Sequence, residues 1–258
     1  MTEAELKTYA VTVDEAARTA GAIPQITDSN PDFSVEDAYK VQALSIDRRI
    51  DRGERRIGIK MGLTSRAKMI QVGVDEVIWG RLTDAMLLEE GAALSFAKYV
   101  HPRLEPEIAF LMGDDLSGTV TAMQAMAAVE AVAPAMELID SRYQNFKFTL
   151  PDVVADNSSS SGLVIGNWCD PGHDISNLGM MVEVDGRNVE IGSSAAILGD
   201  PVRSLVAAAR MTAKDDGGLK AGDIVMAGGA TAAHSLSIGE TVRTIVEDLG
   251  SVTITVGE

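Results

Sequence analysis

The chain divides by the period of its apolar positions. Residues 1 to 22 form an alanine-rich stretch of helical character, which Gly21, Pro24 and the polar run Thr27 to Pro31 interrupt. Ser34-Val35-Glu36-Asp37 then has the form of a helix start, with Ser34 as N-cap and an acidic residue three positions on. Behind it Val35, Tyr39, Ala43, Ile46 and Ile50 recur at helical spacing and leave Asp47, Arg48, Arg49 and Asp51 to solvent. Residues 1–55 are therefore predicted to be a helical segment ahead of a second, strand-rich domain over 56–258.

From Arg56 the period changes to two. Ile57, Ile59, Met61 and Leu63 share one strand face, and Gly58, Lys60 and Gly62 share the other. A lysine between glycines fits two readings: an amine in a desolvated site, its pKa lowered towards working pH, or a strand-end lysine reaching solvent. Thr64 or Ser65 is predicted to cap a short helix through Ala67, Met69 and Ile70. Gly73 and Gly80 bracket a turn or short strand holding Trp79, and Asp84, taken alone, is a turn residue.

In His101 to Met112, two carboxylates interrupt what otherwise reads as a buried strand. Residues i and i+2 of a strand point to one face, so Glu105 and Glu107 project side by side. Burying like charges that close costs several kcal/mol unless something compensates, and a divalent cation does; an all-oxygen set suits Mg²⁺ or Mn²⁺ better than zinc. An edge strand with its Glu side chains in water is the equal alternative, and Pro106, which cannot donate to a ladder, fits it. Thr121 to about Val132 has helical spacing, and Ala133 to Asp140 is an apolar run carrying a third carboxylate, Glu137. Three separated Glu residues fit an octahedral cation that keeps positions for water or substrate. The serines after Asn157 fit either a carboxylate-gripping strand start or a solvated loop. Beyond Met180 the pattern predicts a hairpin across Asp185-Gly186, a helix from Pro201 to Arg210 capped by Asp200, a strand at 221–229, and a closing pair, Thr241 to Val246 and Ser251 to Val256. The sum is a mixed, strand-rich α/β (α+β) fold.

Composition narrows the chemistry. The 22 basic against 38 acidic residues give a formal charge of −16, which repels phosphate backbones and anionic membrane surfaces, so nucleic acid is excluded as a partner. No apolar run reaches a membrane span, and the first residues lack the basic and apolar regions of a signal peptide. One cysteine, Cys169, precludes an internal disulfide framework and fits a cytoplasmic protein, while three histidines disfavour a multi-histidine metal site. Dinucleotide, phosphate-loop and serine-elbow motifs are absent.

Several segments together resemble one group, the fumarylacetoacetate hydrolase-like superfamily, and within it the 2-oxopent-4-enoate hydratase and 4-oxalocrotonate decarboxylase family. They are Lys60 to Ser65, Leu104 to Ile108, Glu137 to Tyr143, Val154 to Asn157, and the turns at Leu198-Gly199 and Gly228-Gly229, in the family's order over nearly the whole chain from about residue 33. The strings Lys60 to Met69 and Asp140 to Phe148 are more similar to the decarboxylase branch. The resemblance implies a mixed β-sandwich or roll around Mg²⁺ or Mn²⁺ held by Glu105, Glu107 and Glu137. It implies Lys60 as general acid-base with Asp84 as helper, and Leu63, Thr64, Asp156, Asn157 and Ser158 around the substrate. Arg142 or Arg66 is the candidate holder of a distal carboxylate, on charge and placement alone. The superfamily's carbon-carbon hydrolases use a His-Glu pair with no equivalent here, which disfavours hydrolysis. Asp200 and Ala227 depart from the family's usual His and Thr. The activity implied is decarboxylation of 2-oxo-3-hexenedioate in aromatic catabolism, with hydration of 2-hydroxypenta-2,4-dienoate as the alternative and a non-catalytic 2-oxo-acid binder as the other class. A homo-oligomer and a complex with a partner hydratase are implied as well.

Overall fold

A computed structural model describes residues 1–65, 69, 70 and 76–258. The helical spacing at the start of the chain becomes α1 (Glu3–Thr19), the single turn α2 (Ile26–Ser29) and α3 (Val35–Asp51). Ser34 caps α3 as predicted, its hydroxyl accepting from the Asp37 amide at 3.1 Å. The apolar stripes of α1 (Leu6, Ala10, Val13) and α3 (Ala38, Val41) pack against each other and against Ile78, Tyr143 and Val154. Between these helices Asp14 accepts from Arg48 Nε and from both terminal nitrogens of Arg52 at 2.6–2.7 Å. Burial pushes its carboxyl up, but the two guanidinium groups outweigh burial and hold it below its ordinary value.

The remaining elements follow in order: β1 (Arg56–Gly62), β2 (Ile78–Thr83), β3 (Leu87–Leu88), β4 (Ala93–Ser95), β5 (Arg103–Met112), α4 (Ala122–Ala127), β6 (Val129–Ile139), α5 (Leu150–Ala155), β7 (Ser160–Ile165), β8 (Gly179–Val184), β9 (Arg187–Ser193), α6 (Pro201–Asp215), β10 (Ile224–Met226), β11 (His234–Ser235), β12 (Thr241–Val246) and β13 (Gly250–Gly257). Among the described residues one sheet has the order β2-β1-β10-β5-β6-β7-β3, with β11 also pairing β5, and a second has the order β4-β13-β12-β8-β9. Leu104, Met136 and Leu138 of the first sheet share an apolar cluster with Val182, Val242, Val252 and Ile254 of the second, which makes the predicted sandwich. The alternate residues Ala109 and Ala135 turn the other way and lie with Ile46 of α3, so the helical lead-in covers the opposite face. No helix among the described residues is long and apolar enough to cross a membrane.

Three expectations change. The edge-strand alternative for Glu105 and Glu107 fails, because β5 runs between β10 and β6 and both side chains are buried. Pro106 is tolerated there because β10 pairs only with Ala109 to Leu111 and β11 only with Arg103 and Leu104. In the gap between them no ladder needs the missing N–H, and the Pro106 carbonyl accepts from the Ala230 amide at 3.1 Å. The helix predicted over 121–132 stops at Ala127, since pairing of Val129, Ala131 and Val132 with the end of β5 overrides a run of good helix formers. Of the turn or short strand expected around Trp79, the strand forms, as β2. The serine run is neither open loop nor plain strand: Asn157 to Ser159 form one tight turn, all three in left-handed backbone, before Ser160 opens β7. The helix start predicted at Thr64 or Ser65 runs into Arg66, Ala67 and Gly73, which lie outside the described residues, although the Met69 amide does donate to the Ser65 carbonyl.

Candidate active site

Residues directly opposed in an antiparallel pair share a face, and the register sets Glu105 opposite Glu137, Glu107 opposite Ala135 and Arg103 opposite Ile139. Glu105, Glu107 and Glu137 therefore converge, with one carboxylate oxygen from each within 4.8 Å of the others and all three side chains buried. On β1, which β10 separates from β5, Lys60 is buried too, and its Nζ donates to Glu137 Oε2 at 2.9 Å and to the Ser158 carbonyl at 3.0 Å. The Gly228 amide donates to Glu107 Oε2 at 2.7 Å. That turn requires glycine: φ is +107°, and a Cβ would stand 2.1 Å from Thr64 Oγ1.

Among the described residues one ammonium, that of Lys60, faces the three carboxylates. Burial, and then the neighbouring Glu137, push the Glu107 carboxyl well above its ordinary value, and burial raises Glu137 despite Lys60. For Lys60 the sequence expectation of a lowered pKa is reversed. Burial does act downwards, but Glu137 and Glu107 outweigh it and keep the ammonium charged. Glu107 Oε1 and Glu137 Oε1 are buried with no hydrogen-bond partner among the described residues. Two orphaned carboxylate oxygens facing a shared space are what a hard divalent cation satisfies, so the donor set fits Mg²⁺ or Mn²⁺.

Of this cluster Lys60 and Glu105 line a cavity of about 620 Å³, whose wall also includes Leu63, Ser158 and Ser159, and whose half-buried end carries Arg103, Phe146 and Phe148. Phe146 and its predecessor Asn145 both have positive φ, 55° and 59°. Such backbone costs about 1–3 kcal/mol per residue and persists where surrounding contacts enforce it. Here the Phe146 amide donates to Tyr143 O at 3.1 Å, and Gln144 N to Ile23 O at 2.9 Å.

Of the residues singled out from sequence, Lys60, Glu105, Glu107, Glu137, Leu63 and Ser158 come together here. Asp84 does not. Lys60 pairs with Gly80, while Arg56 at the far end of β1 pairs with Thr83, so Asp84 lies beyond the strand's other end. There it accepts from the backbone amide of Arg55 at 2.9 Å and from its guanidinium at 3.0 Å, which hold its carboxyl below the ordinary value. Arg142 is likewise unavailable as a carboxylate holder: its Nε donates to Asp156 Oδ1 at 2.6 Å, Nη2 to the Asp156 carbonyl at 2.7 Å, and Nη1 to Ser161 Oγ. Burial, opposed by Arg142, pushes Asp156 up to about 6. Asn157 is also a scaffold residue, its amide exchanging two 2.8 Å hydrogen bonds with the Arg81 backbone and so fixing the turn that presents the Ser158 carbonyl to Lys60. Thr64 is buried behind Gly228, outside the cavity wall. Arg66 lies outside the described residues. Arg103 and Phe146 went unnoticed in the sequence, although the same i, i+2 rule that joined Glu105 to Glu107 also joins Arg103 to them.

Comparison with known proteins shows the family. The fumarylacetoacetate (FAA) hydrolase C-terminal family model matches residues 71–257. A 4-oxalocrotonate decarboxylase of a Pseudomonas species is 56% identical over 247 residues, 95% of this chain and 96% of that protein. The 2-keto-4-pentenoate hydratase of Paraburkholderia xenovorans LB400 is 32% identical over 98% of this chain and 95% of its own. The structure of 4-oxalocrotonate decarboxylase from Pseudomonas putida G7, complexed with magnesium and adipate, superposes with a TM-score of 0.96 at 35% identity, covering 99% of this chain and 98% of that one.

Proposed function

The chain belongs to the fumarylacetoacetate hydrolase family, and from that premise we propose that it is a divalent-metal-dependent decarboxylase converting 4-oxalocrotonate (2-oxo-3-hexenedioate) to 2-hydroxypenta-2,4-dienoate and CO₂ in aromatic catabolism. The observation that carries the reading is a buried three-carboxylate cluster with a buried ammonium beside it, opening on a cavity. Identity of 56% to a decarboxylase, against 32–41% to hydratases, favours decarboxylation over hydration.

Glu105, Glu107 and Glu137 would hold Mg²⁺ or Mn²⁺, satisfying the two orphaned oxygens. When bound, such an ion supplies Lewis-acid stabilisation of the charge that develops on the 2-oxo oxygen. Loss of CO₂ breaks one carbon-carbon bond, and its electron pair moves through the adjacent double bond towards the 2-oxo carbon. The residual chain then takes up one proton. Lys60 carries a proton at Nζ on the cavity wall, oriented by Glu137 and the Ser158 carbonyl, and is the general acid-base of this reading. Leu63 and Ser158 would shape the site around the carbon chain, with Asn157 and Asp156 positioning the turn behind Ser158. The product is the substrate of the hydratase branch of the same family, so in this reading the enzyme, a cytoplasmic homo-oligomer, would associate with a hydratase that consumes it.

Incubation with 2-oxo-3-hexenedioate and Mg²⁺ tests the reading. Release of CO₂, abolished by chelator, is expected; hydration of 2-hydroxypenta-2,4-dienoate with no CO₂ from the diacid would replace it with the hydratase reading.

A further inference from the structure

Side chains alternate along β5, so Arg103 leaves the sheet on the same face as Glu105 and Glu107, about 6.7 Å along the strand from Glu105 and towards the cavity's more exposed end. Arg103 and Ile139, its partner on β6, both line the cavity. Its guanidinium carbon lies 3.8 Å from the centroid of the Phe146 ring. Phe146 is in turn set by Phe148 at 5.6 Å and, edge-on, by His101 at 6.1 Å. Among the described residues of the cavity wall the cations are Lys60 and Arg103, and they differ in what they hold. Lys60 is engaged by Glu137 and Ser158, whereas no carboxylate among the described residues pairs with Arg103. A guanidinium packed on an aromatic ring is restricted to one plane and presents its N–H pairs along an edge, the geometry for bidentate capture of a carboxylate.

We infer that Arg103, stacked on Phe146, receives the second carboxylate of a dicarboxylic substrate and so selects diacids over monoacids at this site. The inference rests on the proposed decarboxylation for the substrate's identity, and on the placement of Arg103 for its class. One end of a short diacid would sit at the three glutamates and the other would meet Arg103 one strand repeat away, the span of a four- to six-carbon chain. The role is binding more than chemistry. The carboxylate that departs as CO₂ holds its full charge in the ground state and gives it up to the carbon chain as the bond breaks. A cation on it therefore stabilises bound substrate at least as much as the transition state, and its loss falls on KM more than on kcat.

Calorimetric titration of the Mg²⁺-loaded protein with adipate and with hexanoate, a diacid and a monoacid of equal chain length, tests this. The wild-type protein is expected to bind adipate about 10- to 100-fold more tightly, the worth of a charge-assisted hydrogen-bonded pair. Arg103→Met should remove that preference by weakening adipate and leaving hexanoate within about twofold. Arg103→Lys, which keeps the charge without the fork, should restore only part of the preference. Kinetics on 2-oxo-3-hexenedioate should show the Arg103→Met loss mainly in KM. Equal weakening of both acids in Arg103→Met, or no wild-type preference for adipate, would overturn the assignment. Diacid preference that depends on Arg103 in a protein releasing no CO₂ would uphold the subsite while sinking the decarboxylase reading; CO₂ release with no such dependence would do the reverse.

Discussion

Replacing Lys60 by Met keeps the length of the side chain and removes the ammonium that stands 2.9 Å from Glu137 and 3.0 Å from the Ser158 carbonyl. Deleting one partner of a fully buried ion pair costs about 3–5 kcal/mol, because the other charge stays in a medium that cannot solvate it. For a chain of this length each kcal/mol moves the melting point by about 2–4 °C, so metal-free Lys60→Met should melt about 6–20 °C below the metal-free wild-type protein. A divalent ion held by the same carboxylates supplies the charge that Lys60 supplied. In saturating Mg²⁺ the deficit should therefore shrink to a small part of its metal-free size, since ligand binding stabilises the folded state by mass action. Activity should not recover with stability: loss of the proton carrier should lower kcat by about 10²–10⁴. Thermal unfolding of both proteins in chelator and in Mg²⁺, alongside CO₂ release, reads all of this. A deficit of the same size with and without Mg²⁺, or none in chelator, would refute the claim that lysine and metal neutralise one shared cluster.

Arg142→Met should destabilise the protein by about 3–5 kcal/mol in chemical unfolding, and the double variant with Asp156→Asn should lose clearly less than the sum of the single changes, because the pair is buried and mutually satisfied; additive losses would show that the pair does not couple. Asp84→Asn should keep kcat/KM within about threefold of wild type, since its partner is the exposed Arg55 at the far end of β1; a larger loss would return Asp84 to the site. The carboxyl of Asp14 is held below its ordinary value of 3.8, so the stability it contributes is fully present above that value and is lost as pH falls through the lowered one. Unfolding of wild type and Asp14→Asn across pH should show a constant gap near neutrality that closes only in acid; a gap that instead closes on raising the pH would contradict the ion-pair account.

Most of what makes this site was written locally in the chain. Glu105 and Glu107 are two apart in an apolar strand, Lys60 sits in a strand with glycine neighbours, and Glu137 interrupts a second apolar run, so period and residue type alone brought three elements towards one chemistry. What period does not carry is who satisfies whom. Arg142 looked like a substrate-binding cation because Asp156, fourteen positions later, reveals itself as its partner only once the Asn157 turn folds back. Asp84 follows a strand whose length sequence left open, and that strand carries it past Lys60 to Arg55. Arg103 stood at a strand start, where a basic residue normally meets solvent, and only the Phe146 turn with its left-handed backbone shows that its environment is organised. The α4 region failed for another reason: Ala and Met between 122 and 132 satisfy helix and buried strand equally, and the ladder with β5 decided.

The central claim is that Glu105, Glu107 and Glu137 hold one divalent ion. Titration of Mn²⁺ into the wild-type protein and into Glu107→Gln, with free Mn²⁺ followed by electron paramagnetic resonance, tests it most directly. The account predicts one tight site per chain in the wild type, weakened in Glu107→Gln beyond the roughly 10- to 100-fold that loss of an outer-shell partner causes. Undiminished Mn²⁺ affinity in Glu107→Gln would contradict it.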